Sequence, residues 1–92
     1  MKKTKIKLGK KTYKVLVAET PEEKEIGLSK TSNLPEDCGM LFEYEEPQKE
    51  LYFTMEDTSI DLDIIFLDSE GDVVSVFPTK AHDPEPVMEE DV

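Results

Sequence analysis

Glu56, Asp57, Asp61 and Asp63 place four carboxylates within eight residues. Asp61 and Asp63 are two positions apart, so on a strand both project to the same face. Paired carboxylates can hold a hard divalent cation, or divide the acid and base roles of a proton transfer. Asp57, Thr58, Asp61 and Asp63 are therefore the candidate ligand-binding residues. Catalysis would need a neighbouring His, Lys or Arg, and this segment has none. Solvated turn and edge positions are the ordinary place for such carboxylates. Asp63 differs in directly preceding four apolar residues. If buried, it would accept backbone N–H bonds and hold a turn.

The run Asp68-Ser69-Glu70-Gly71-Asp72 has the look of a calcium loop. It lacks the twelve-residue spacing and terminal bidentate Glu, and strand-like segments flank it, so a hairpin turn is expected. Cys38 follows Pro35-Glu36-Asp37, an acidic setting that disfavours the thiolate. The single histidine, His82, lies far off beside Asp83 and Glu85, where a lone imidazole is usually solvated. A Cys–His pair, a zinc spacing, a Gly-rich phosphate loop and a Ser-centred elbow are all missing. The sequence assigns no catalytic residue, no resident metal and no cofactor.

The elements that would position these residues are mostly strands. The centre is 52–77, with apolar runs Ile64-Ile65-Phe66-Leu67 and Val73-Val74-Ser75-Val76-Phe77 around the Asp68–Asp72 turn. That pattern predicts a β-hairpin. Apolar residues at successive positions 64–67 predict a central strand covered on both sides. Upstream, Lys5–Leu8 and Thr12–Val17 alternate polar and apolar around Gly9-Lys10, which fits a type II′ hairpin turn. Ile6, Leu8, Tyr13, Val15 and Val17 are expected inside and the lysines outside.

Thr20-Pro21-Glu22-Glu23 is a helix start. Thr20 caps, Pro21 takes the first helical position, and Glu23 completes a capping box. The helix is expected near residues 21–29, followed by a loop over 30–39. Strands are expected over 40–44 and 51–55. Residues 78–92, with three Pro and five acids, read as an irregular acidic tail behind a single domain of residues 1–77. The predicted fold class is mainly β (α+β), a small antiparallel β barrel or sandwich with one short helix.

Charge is unevenly spread. Residues 1–14 carry seven Lys and no acid, whereas residues 15–92 carry four Lys against 22 acids, giving +7 and −18. A nucleic-acid duplex would meet the acidic body, and there is no Arg for bidentate phosphate contacts, so nucleic acid is an unexpected partner. The lysines of the arm read first as an amphipathic hairpin's solvated face. One cysteine excludes an intrachain disulfide, and no apolar run is long enough for an export signal or a membrane span. The expected location is the cytoplasm, with no membrane partner.

Several phrases together resemble domain-of-unknown-function family 192. They are Ala18–Glu23, Gly27-Leu28, Leu34–Phe42, Phe53–Thr58 and Leu62–Asp68, in order over about residues 5–87. The resemblance implies a compact β-rich barrel or sandwich with one short helix, and no established activity. Where the family usually has Trp-Met-Lys-Asn-Thr, this chain has Thr54-Met55-Glu56-Asp57-Thr58, and where it usually has Pro before Leu-Asp, this chain has Asp61. Any ligand site of the family near that turn therefore gains acid here. Members usually continue past the position of Val87 with strands that close the sheet, so either those strands are dispensable here or an exposed edge is covered by another chain. A shortened relative of this kind is compatible with a phage-encoded origin and a place in a virion. The leading expectation is a non-enzymatic domain acting through a protein partner or homo-oligomer, as an accessory part of a larger assembly. The alternative is a small-ligand or divalent-metal binding domain using Asp57, Asp61 and Asp63.

Overall fold

The computed structural model describes residues 2–90 and 92. Its elements run β1 (Lys2–Leu8), β2 (Lys11–Ala18), α1 (Pro21–Ile26), β3 (Cys38–Phe42), β4 (Glu50–Phe53), β5 (Leu62–Leu67), β6 (Val73–Thr79) and β7 (Val87–Glu90). The mainly β class with one short helix is what the sequence predicts. Among the described residues the strands form three ladders, ordered β1-β2-β3, β4-β7 and β5-β6, and no closed barrel. By contact density the chain falls into two compact units, Met1–Glu43 and Tyr44–Val92.

In the first unit β1 and β2 pair antiparallel from Lys2↔Val17 to Leu8↔Lys11. Gly9 has φ 63, while Lys10 keeps a negative φ. Positive φ at the first turn position alone is the mark of the expected type II′ turn. Val15 and Val17 are buried, while Ile6, Leu8 and Tyr13 are half-buried. β3 then joins β2 in parallel, from Lys14↔Cys38 to Ala18↔Phe42. An all-antiparallel arrangement was expected, and this pair departs from it. A parallel neighbour needs a long crossover, which the segment containing α1 supplies.

The start of α1 follows its sequence. Thr20 Oγ1 accepts the Glu23 N–H at 3.1 Å, and Glu23 Oε1 accepts the Thr20 and Glu19 N–H groups, each at 3.1 Å. These backbone donors hold the Glu23 carboxyl below its ordinary pKa, Thr20's first and Glu19's next. Thr20→Ala should cost about 1 kcal/mol in urea unfolding. A depressed folded pKa stabilises above the unfolded value and loses that contribution as pH falls through the folded one. Glu23→Gln should therefore destabilise at pH 7, and progressively less as the solution is acidified below the ordinary Glu range. The helix stops at Ile26, sooner than expected, because Gly27 leaves helical geometry at φ 48, ψ −126.

In the second unit β5 and β6 form the expected hairpin, with a register shift at Phe66/Leu67. Leu62, Ile64 and Phe66 point to the covered side, opposite Thr79, Phe77 and Ser75. Phe66 makes edge-to-face contacts with Phe53 and Phe77, both at 5.8 Å between centroids. β5 is not a central strand covered on both sides. It has one partner in its ladder, and on the other face Ile65 and Val76 are 36% and 50% exposed. The continuous apolar run disguised a one-sided alternation.

β4 and β7 pair antiparallel from Glu50↔Glu90 to Phe53↔Val87. Reciprocal backbone bonds between Gln48 and Val92, at 2.6 and 2.8 Å, continue that pairing. Residues 87–90 thus correct the expectation of an irregular 78–92 segment. Four residues behind Pro84 and Pro86 are too short to show a period, and their partner strand is far away in sequence. Asp91 lies outside the described residues.

Candidate functional site

The acidic segment before β5 is tied to the segment after β6. Thr79 Oγ1 donates to the Leu62 carbonyl at 2.7 Å. The Ala81 N–H donates to Asp61 Oδ1 at 2.8 Å, and Lys80 Nζ lies 3.5 Å from Asp61 Oδ2. The His82 N–H donates to the Thr58 carbonyl at 2.9 Å, and His82 Nδ1 meets the Glu56 carbonyl at 2.8 Å. A carbonyl only accepts, so Nδ1 carries the proton in this contact. His82 holds this pose at φ 57, an unusual backbone for a residue with a side chain. Nothing in the sequence marks these links, because they join residues some twenty positions apart.

Among the candidate ligands, Asp61 already serves as a clasp. The Ala81 N–H, and after it Lys80, draw its carboxyl below the usual value. Thr58 is buried at 6% exposure, and Asp57 and Asp63 are exposed. Asp63 pairs across the ladder with Pro78 and is not buried. Among the described residues, Asp57, Asp61 and Asp63 do not converge into a set of three ligand atoms. Asp68, Glu70 and Asp72 do converge, on the exposed hairpin turn. There Asp68 Oδ1 accepts the Glu70 and Asp72 N–H groups at 2.9 and 3.0 Å, a hairpin-turn arrangement.

Of the segment Thr54–Thr58, Met55 and Thr58 are buried, whereas Thr54, Glu56 and Asp57 are exposed. The positions that keep the resembled pattern pack inside, and those that depart from it face water. Cys38 is half-buried beside Asp37. Partial desolvation pushes its thiol up, and the Asp37 carboxylate 3.5 Å from Sγ adds to the effect.

The hairpin of the first unit presents the other charged feature. Lys3, Lys5 and Lys7 occupy alternate positions of β1 and share one face, with Lys14 directly opposite Lys5. All four are exposed. Lys14 has Asp37 at 3.8 Å, while among the described residues Lys3, Lys5 and Lys7 make no ion pair. Like charges directly opposite on a ladder repel.

The family model for DUF192, described as "Uncharacterized ACR", matches residues 3–91. The chain belongs to DUF192. A crystal structure from Sinorhizobium meliloti, described as a "putative transcription regulator", is similar with a TM-score of 0.81 and 25% identity. The likeness covers 87% of this chain and 62% of that one, so this DUF192 chain spans under two thirds of its neighbour's length. No curated protein sequence matches it. Among the described residues, no helix is long and apolar enough to cross a membrane.

Proposed function

We propose that this DUF192 chain is a protein-contact domain, an accessory part of a larger cytoplasmic assembly, and that it docks through the β1–β2 hairpin. The observation behind this is the lysine face of β1. Lys3, Lys5 and Lys7 have no anionic neighbour among the described residues, and Lys14 faces Lys5 across the ladder. Edge lysines commonly discourage unwanted pairing. Three without an ion pair on one face, the middle one opposite Lys14, carry a repulsion that an acidic partner would relieve. The nearest source of such a surface is the −18 body of a second copy.

Light scattering at about 20 mM and about 500 mM salt tests this, because screening shortens the reach of exposed charges. The expected result is a mass above the 10.5 kDa of one chain at low salt, returning to it at high salt. Lys5→Glu should remove the association. A single-chain mass at both salt concentrations would overturn the homotypic form of the reading.

The alternative is a divalent-metal or small-ligand site on Asp57, Asp61 and Asp63. It has less behind it, since Asp61 is engaged with Ala81 and Lys80. A thermal shift with Ca²⁺, Mg²⁺ or Mn²⁺ that Asp63→Asn removes would favour it. The neighbour's description brings nucleic acid into consideration, but the acidic body works against a long polyanion.

A further inference from the structure

β1 is the outer strand of its sheet, with β2 on one side only. The two-residue turn at Gly9-Lys10 fixes which backbone groups point where. Residues flanking such a turn form a hydrogen-bonded pair, and pairs alternate along the ladder between bonded and non-bonded. Leu8↔Lys11 is therefore bonded, as are Ile6↔Tyr13 and Thr4↔Val15. Lys5↔Lys14 falls among the non-bonded pairs. The far side of β2 confirms this phase independently, since the Lys14 N–H donates to the Asp37 carbonyl at 2.8 Å, toward β3. In β1 it is then Lys3, Lys5 and Lys7 whose N–H and C=O groups face the open edge. Among the described residues, no backbone bond outside the β1–β2 ladder involves residues 2–8.

The free backbone groups and the unpaired ammonium groups thus belong to the same three residues. We infer that this edge takes an extended acidic segment of a partner protein as an added antiparallel strand, with an acidic side chain at every second position. This rests on the hairpin being the docking site, and it adds the mode of recognition. In an antiparallel pair, the residue bonded to Lys5 lies directly opposite it, with its side chain on the same face. Carboxylates at alternate positions would meet Lys3, Lys5 and Lys7 in turn. The residues between would share a face with Thr4, Ile6 and Leu8, where small or apolar side chains fit. Main-chain bonds supply attachment in such strand addition, and the alternating side chains supply selectivity. A duplex or single-stranded nucleic acid could use the ammonium groups, but it cannot continue the ladder.

The test uses the full chain and two short acetylated, amidated peptides of equal composition. In one, Glu and Val alternate; in the other, all Glu precede all Val. The alternating peptide should bind about tenfold or more tightly than its isomer, given three matched cross-strand charge pairs. Amide hydrogen exchange read by NMR should slow at Lys3, Lys5 and Lys7, whose N–H groups are free in the unbound chain. Thr4, Ile6 and Leu8, already bonded to β2, should change little. Lys5→Gln should weaken binding while keeping that protection pattern, and Lys5→Pro, which deletes an outward N–H, should abolish both.

Equal affinity for the two peptides without slowed exchange would overturn strand addition while leaving the hairpin as a charged contact. Failure of both peptides to bind, together with a salt-independent single-chain mass, would overturn the docking reading as well. Tighter binding of a single-stranded oligothymidylate than of the alternating peptide would overturn the inference in favour of a nucleic-acid surface.

Discussion

Phe66→Ala is expected to destabilise the chain by about 3–5 kcal/mol, the usual range for deleting a buried aromatic ring. Phe66 is 3% exposed and sits between Phe53 and Phe77, edge-to-face with both. Removing it would lose the ring's own burial, open a cavity, and leave two aromatic neighbours without their partner. Total stability for a chain of this length is roughly 5–14 kcal/mol, at about 0.05–0.15 kcal/mol per residue. One substitution would thus consume a large part of the folding free energy. Urea unfolding followed by circular dichroism would measure it, with Phe66→Leu as a milder comparison. A loss below about 1 kcal/mol for the alanine variant would mean that the three rings do not form a core cluster.

Gly27→Ala is the second large effect, expected at about 2–4 kcal/mol. Two costs act together. At φ 48 and ψ −126 the backbone lies where a residue with a Cβ is strained. The added carbon would also stand 3.2 Å from Cζ of Phe42. That ring must move for the methyl group to fit, and it lies on β3, whose pairing with β2 carries the parallel part of the sheet. Since α1 is only six residues long, displacing its end disturbs the whole crossover. The denaturation midpoint should fall, and Gly27→Asn should not restore it, because the clash remains.

Around these two residues the sequence was unevenly informative. The role of Gly27 in stopping the helix was not legible, since the helix was expected to run on toward residue 29. The Phe66 run was legible as a strand, but its four successive apolar residues hid the fact that Ile65 faces outward. Burial on two sides and exposure on one differ only in what lies opposite, and a single strand's pattern does not contain its neighbours.

The candidate site divides in the same way. The acidic residues stood out, but Asp61 closes on Ala81 and His82 on Glu56 and Thr58 only when β5 and β6 bring 56–61 and 80–82 side by side. The lysine face was closer to the surface of the sequence. A two-residue turn at Gly9-Lys10 already dictates that Lys5 lies opposite Lys14.

By itself, then, the sequence determined what local chemistry can determine. The capping box at Thr20, the type II′ turn at Gly9, the Asp68 turn and the segregation of charge all depend on residues a few positions apart. Tertiary structure alone decided the parallel pairing of β2 with β3, the capture of Val87–Glu90 by β4, and the use of Asp61 as a clasp. Each of these joins distant segments. The ordering cost of such pairings is recovered only through burial and hydrogen bonds that appear once both partners are in place.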